Sequence, residues 1–424
     1  MVQTAPISGQ HPAYWRAGVP NVFEDAYFNF QFARALSYAS FGGAALGECF
    51  VAANSIKGGD FDSWRSAWTV IAERVERLAG EAEHSKYRAS AAARYLRAYN
   101  YYRAAEFLIS HKDPLKRKVF LKAQNCFRKS LTLTVDYVGT PVRIPYGKAT
   151  LPGYFLRPEG HKIKRPTLIN HGGGDGSNEE CLFLGAMGAL RRGYNCLIFD
   201  GPGQRGALYE DPANVYRSDY EVVIKAVVDF TLAQPGIDSG RLALIGWSLG
   251  GYTAARGAAH DSRIKALILS APLIDLYRVL ASAYLVGQNA NSKIEDFDIP
   301  PEKLAEIIQA LYDKQIPIVR FGMDQSQWIL GGDTILDFLR LYQKFRLDDD
   351  EIKKIQCPTL CLTGTDEGPE QQRQLGIFKA AMTAPCEVHV FTSDLGAELH
   401  CEINNQVYAQ EVIFDWLQDT MRVA

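Results

Sequence analysis

Residues 242–252 read Leu-Ala-Leu-Ile-Gly-Trp-Ser-Leu-Gly-Gly-Tyr, and this stretch decides the fold. Leu242–Ile245 is a short, wholly apolar run, the pattern of a strand buried on both faces of a parallel sheet. A helical segment opens near Tyr252. Between them lies Gly-x-Ser-x-Gly. A serine on so tight a strand-to-helix turn is held in a strained backbone conformation, with its oxygen projecting from the sheet edge. Gly246 and Gly250 keep side chains out of the neighbouring strand and helix, and Gly251 adds room for close packing. The motif alone is common. In this setting it marks Ser248 as a nucleophile.

Outward from this turn the same alternation recurs. Apolar runs at Thr167–Asn170, Cys196–Asp200, Ala266–Ser270, Thr359–Thr363 and Glu387–Phe391 are separated by helical segments, which predicts a doubly wound, mostly parallel α/β sheet. The interval from about 275 to 350 is too long for one crossover. It is polar, helical and dotted with aromatics such as Tyr284 and Trp328, so it reads as a lid inserted between two strands. Residues 1–130 read as a helical cap ahead of a catalytic domain at 131–424. Within the cap, Trp64, Trp68, Ile71, Val75 and Leu78 fall at helical spacing over Ser63–Ala79, with Asp62 as the expected N-cap and Gly80 as the stop. Tyr95, Tyr99 and Tyr102 form a stripe on the next helix, and Asp113-Pro114 opens another with proline in its first turn. From Leu131 the alternation LTLTVDYV predicts a strand.

A serine hydroxyl needs a base. The histidines after Ser248 are His260, His389 and His400. His260 falls on or just past the helix after the turn, and His389 within a strand. His400 follows the last strand and precedes the final helix, where this chain order delivers its base. The acid is expected after Thr359–Thr363. Asp366 is the first carboxylate of that loop, with Glu367 and Asp275 as alternatives. Its task is to hold the imidazole tautomer. The oxyanion donors are expected from the glycine loop His171-Gly172-Gly173-Gly174, with Gly173 preferred over Gly174, and from the N–H of Leu249. Trp247 and Arg205 are the candidate substrate contacts, Arg205 lying in the glycine-rich segment Asp200–Gly206, which shapes the pocket rim. For Arg205 an ion pair at the surface is the competing expectation.

With 424 residues, 47% of them hydrophobic and 22% charged, the chain has material for a large core, and its net charge of −2 points to neither nucleic acid nor an anionic membrane. No apolar run approaches the length of a membrane span. The amino-terminal MVQTAPISGQHPAYW lacks the basic and apolar regions of a secretory signal, so a cytoplasmic location is expected. The eight cysteines are scattered without a CxxC pair, which predicts reduced, buried thiols and no zinc site. No cofactor or metal is called for. The basic run from Lys112 to Lys129 predicts a solvated helix face, with docking of an acidic carrier protein as the alternative.

GGDFDSWRSAWTVIAERVERLA, RYLRAYNYYRAAEF, HGGGDGSNEE, FDGPGQ, GWSLGG, LTGTDEGPEQ and GAELHCE together resemble one branch of the α/β-hydrolase superfamily, that of the fungal pigment hydrolases that shorten polyketides and of the bacterial 2,6-dihydroxypseudooxynicotine hydrolase. The resemblance spans most of the chain. It implies an α/β-hydrolase fold with the amino-terminal helices capping the active site, a homodimer, and hydrolysis of a carbon–carbon bond next to a ketone, with the serine, acid and histidine at Ser248, Asp366 and His400. The branch's DGPGQGE is here DGPGQRG, so Arg205 and Gly206 depart from it. The expected activity is thus serine-dependent cleavage of a C–C or ester bond in a polyketide-like or acyl-aromatic substrate. A biosynthetic cyclase or acyl transferase on the same fold is the second reading, and a non-catalytic binding protein the third.

Overall fold

The computed structural model describes residues 22–160, 163–288 and 293–422. The amino-terminal stretch whose composition argues against a signal lies outside them. The helices α1 (Ala26–Ser37), α2 (Leu46–Ala53), α3 (Phe61–His84), α4 (Arg88–Phe107) and α5 (Pro114–Leu133) come first. Three boundaries differ from expectation. The N-cap of α3 is Asp60, whose carboxylate accepts from the N–H groups of Asp62 and Ser63. The same helix runs through Gly80 to His84. An interior glycine costs about 1 kcal/mol, and burial of Trp64, Trp68, Ile71 and Val75, continued by Ala79 and Ala82, outweighs that. Helix α5, capped by Asp113 with Pro114 at its first turn, continues to Leu133. The residues from Leu131 that alternate like a strand are its last turn, because Leu131 is still on the buried face.

The strands are β1 (Val138–Tyr146), β2 (Ala149–Arg157), β3 (Arg165–His171), β4 (Asn195–Phe199), β5 (Ile237–Trp247), β6 (Ala266–Ser270), β7 (Thr359–Gly364) and β8 (Cys386–Phe391). They form one sheet in the order β1-β2-β4-β3-β5-β6-β7-β8. Strands β1 and β2 run antiparallel to their neighbours, and the strands from β4 to β8 in that order are parallel. Neighbouring side chains along β5 enter opposite cores. Ile245 packs on the face that carries α1 to α5, and Leu244 on the other.

The body is completed by α6 (Ala186–Arg191), α7 (Arg205–Glu210), α8 (Glu221–Leu232) and α9 (Leu249–His260). Between β6 and β7 come α10 (Leu276–Gln288), α11 (Pro301–Asp313), α12 (Pro317–Leu330), α13 (Ile335–Tyr342) and α14 (Asp349–Lys353), and then α15 (Pro369–Ala381) and α16 (Gln406–Met421) close the chain. The strand order reverses between β3 and β5, where the crevice at the carboxyl ends of the strands opens. His171 is in register with Gly246, so the loop after β3 and the turn after β5 emerge side by side. Among the described residues no helix is long and apolar enough to cross a membrane.

Candidate active site

Ser248 has φ 56° and ψ −122°, a conformation that side-chain-bearing residues rarely adopt and that persists only where the surroundings impose it. Its N–H donates to Ser270 O at 2.8 Å, and its carbonyl accepts from Gly251 N at 2.7 Å. A Cβ at Gly246 would stand 1.9 Å from Gly250 O, and one at Gly250 would stand 2.8 Å from Gly172 O. Both glycines of the motif are therefore demanded by contact.

His400 reaches this turn. Its Nε2 lies 2.9 Å from Ser248 Oγ, and its Nδ1 lies 2.7 Å from a carboxylate oxygen. That carboxylate belongs to Glu367, the alternative to Asp366 and the residue that follows it. The chain leaves β7 in a tight turn, with Glu367 N donating to Gly364 O at 3.2 Å. The turn's third residue, Asp366, is half-buried, while its fourth, Glu367, is returned over the sheet and buried. Asp275, the other alternative, pairs instead with Arg346 at 3.8 Å. Burial alone would lower the pKa of His400. Cys401 and Glu367 outweigh that and hold the imidazole well above its usual range. The other two histidines are occupied elsewhere: His260 pairs with Glu351 at 2.7 Å, and His389 lies 3.2 Å from the hydroxyl of Tyr408.

The glycine loop is pinned by its carbonyls. Gln204 Nε2 donates to Gly172 O at 3.0 Å and to Gly173 O at 3.2 Å, Tyr216 Oη to Gly173 O at 3.2 Å, and Gln325 Nε2 to Gly174 O at 2.7 Å. In a trans peptide the following N–H points opposite to the carbonyl, so these bonds turn the N–H groups of Gly173 and Gly174 away from Gln204 and Tyr216. A Cβ on Gly173 would lie 2.9 Å from Ser248 Cβ, so this glycine is pressed against Ser248. His171, the last residue of β3, is fully buried and stacked on Phe199 at 4.7 Å, and burial pushes it down to about 3. It is a neutral packing residue.

A cavity of about 340 Å³ opens over Ser248 and His400. Helix α1 contributes Phe30 and Arg34 to its wall, while α10 and α12 contribute mainly aliphatic side chains such as Val279, Leu280, Val319 and Ile329. Trp247 also lines it, with its indole N–H on Asn170 Oδ1 at 3.0 Å.

Residues 168–394 match the profile of the alpha/beta hydrolase family. The chain belongs to that family. It is 34% identical to "Hydrolase LUC6" of Fusarium sp over 95% of its own length and 98% of that protein's. It is 36% identical to "20-hydroxy-prefusarin hydrolase FUS2" of Gibberella moniliformis over 81% and 83% of the two chains. Among solved structures, that of the 2,6-dihydroxy-pseudo-oxynicotine hydrolase superposes with a TM-score of 0.68 at 21% identity, covering 91% of this chain and 95% of that one. The fold named in that resemblance is the fold observed.

For this hydrolase-family chain, sequence reasoning misjudged several charges. Arg205 is buried, neither on the cavity wall nor at the surface: its Nε is 3.1 Å from Glu106 and its Nη1 donates to Asp175 O. Lys116, expected on a solvated face, is buried against Glu106 at 3.2 Å and against three backbone carbonyls, with its amine pushed down to about 8 by burial. Sequence reasoning missed Arg34 entirely. It makes two bonds to Glu180, both at 2.7 Å, and two to Asp175 at 3.0 and 3.3 Å. Arg103 adds a contact to Glu180 at 3.1 Å. Burial alone would raise Glu180, but Arg103 and Arg34 bring it to about 2. The eight cysteines form no disulfide, Cys361 and Cys386 lie with their sulfurs 3.9 Å apart, and all are buried except the half-buried Cys386. Among the described residues no cluster of three or more His, Cys, Asp and Glu could hold a metal.

Proposed function

We propose that this chain is a serine-dependent hydrolase of an apolar, polyketide-type acyl substrate, cleaving an ester or a carbon–carbon bond next to a ketone. The observation that carries the reading is the hydrogen-bonded series Ser248 Oγ–His400 Nε2 at 2.9 Å and His400 Nδ1–Glu367 Oε1 at 2.7 Å, under an apolar cavity. His400 takes the hydroxyl proton as Ser248 attacks the carbonyl, and Glu367 holds the Nδ1–H tautomer and stabilises the imidazolium. The N–H groups of Gly173 and Leu249 receive the oxyanion, with Gly174 next to them. Collapse expels an alkoxide or a delocalised enolate, which takes the proton from His400. Water, deprotonated by the same imidazole, then releases the acyl group as a carboxylic acid. The name of the Gibberella moniliformis relative, a 20-hydroxy-prefusarin hydrolase, supports the substrate class.

The test uses a panel of aryl esters and β-diketones in heavy-oxygen water. One heavy oxygen in the carboxylate product is expected. Loss of water without label would replace hydrolysis by condensation. Ser248→Ala should lower turnover by at least about 10³-fold while the protein stays folded; a rate near that of the unaltered enzyme removes the nucleophile. Glu367→Gln should cost about 10²- to 10⁴-fold, and Asp366→Asn much less. The reverse ranking would return the acid's role to Asp366.

A further inference from the structure

Behind the Glu367–His400 pair lies a second carboxyl that the proposed chemistry does not use. Glu402 is fully buried. Cys401 and Glu402, directly after the base, have φ 57° and 51°. Non-glycine residues there cost about 1–2 kcal/mol each, and such a pair persists only where its surroundings over-determine it. Here the fixings are visible. Glu402 N donates to Leu399 O at 2.8 Å, and Gln406 Nε2 to Cys401 O at 2.6 Å. Ser270 Oγ donates to Glu402 Oε2 at 3.0 Å. Ser270 ends β6, and its carbonyl accepts the N–H of Ser248 at 2.8 Å. One residue thus touches both the nucleophile's turn and the base's turn. Glu402 Oε1 and Glu367 Oε2 are buried without a hydrogen-bond partner among the described residues. The titratable groups facing Glu402 are Glu367 and His400.

We infer, resting on the Ser248–His400–Glu367 reading, that Glu402 is a positioning residue: it ties the left-handed turn after His400 to the end of β6 and so keeps the imidazole in line with Ser248. Burial, aided by the charge of Glu367, raises its carboxyl to about 8, so it stands beside Glu367 as an uncharged acid at neutral pH. Ionising it adds negative charge near His400 and makes the imidazole harder to deprotonate.

The test is the rate at which a fluorophosphonate labels Ser248, followed against pH, with thermal unfolding measured alongside. Glu402→Gln keeps an acceptor for Ser270 and removes the ionisation. It should label near the wild-type plateau rate, with the midpoint of the pH rise lower by about 0.5 unit or more. Glu402→Ala removes the tie and should slow labelling about 10- to 100-fold. Ser270→Ala, which cuts the same tie from the other side, should slow it about tenfold and carries the test if Glu402→Ala does not fold. A wild-type midpoint in Glu402→Gln, together with labelling within about twofold of wild type in the tie-cutting variants, overturns the inference while leaving the triad intact. A wild-type protein that is labelled no better than Ser248→Ala overturns the triad reading, and this inference with it.

Discussion

The wall that α1 presents to the cavity carries a buried ion-pair cluster at Arg34, and the wall that α10 and α12 present is mainly aliphatic. On the first side Arg34 and Arg103 enclose Glu180, with Asp175 on Arg34 and the hydroxyl of Tyr38 on Glu180 at 2.5 Å. Glu106, Arg205 and Lys116 form a second buried cluster beside it, tied to the same loop through Asp175 O. On the other side Val279, Leu280, Val319 and Ile329 offer only dispersion and shape. Ion pairs are directional and costly to break once buried, whereas aliphatic contacts adapt. The first side holds the loop through Asp175, while α12 bonds Gly174 O through Gln325 at 2.7 Å and otherwise lines the cavity with mostly apolar side chains.

The largest effect should come from breaking the ionic wall. Arg34→Met leaves Glu180 buried with Arg103 as its remaining guanidinium partner and removes Asp175's partner, at a cost of about 3–5 kcal/mol in urea unfolding. Turnover should fall as well, because residues 172–175 lose one of their anchors. A loss below about 1 kcal/mol, the scale of an exposed pair, would show that the Arg34 ion pairs do not help to fix the loop.

A smaller effect, and of another kind, is expected at the aliphatic wall. Leu280 is half-buried and faces the existing cavity. Truncating it to alanine removes contact with the ligand more than it opens a new void. KM should rise about tenfold, from methylenes worth about 0.8 kcal/mol each, with kcat little changed. A fall in kcat at constant KM would mean that this wall also aligns the reacting carbonyl.

The same contrast explains what the sequence revealed. Local geometry was legible. The strand, strained serine and helix around residues 242–252 are one contiguous pattern, and the steric demands on Gly246 and Gly250 follow from it. Pairing across the chain was not. Arg34 meets Glu180 across 146 residues, and in a linear reading each looks like a surface charge. Lys116 and Arg205 were misread in the same way. The acid lies between these cases. Its loop was legible, but that the turn from Gly364 carries Glu367 to His400 Nδ1 could not be read from two adjacent carboxylates. Gly80 and Leu131 failed for a different reason: local propensity yielded to a buried face that extended past them.

The smallest effect should fall where α12 meets the segment after α4, away from the cavity. Asp324 of α12 accepts from Ser110 Oγ at 2.5 Å and from His111 N at 2.9 Å, and its other contact is His111 Nδ1 at 2.8 Å. Burial alone would raise this carboxyl, but the bonds from His111 and Ser110 lower it below its ordinary value. A carboxylate lowered by folding stabilises above its unfolded pKa, and that contribution is lost as pH falls through the folded one. Asp324→Asn should therefore cost about 1 kcal/mol at neutral pH, the worth of a hydrogen-bonded, partly exposed charge. The gap between variant and wild type should close as the pH drops below the usual aspartate range. An unfolding midpoint difference that stays constant down to strong acid would mean that the tie acts through packing of Trp328 on His111, whose rings stack at 6.4 Å, and not through the charge.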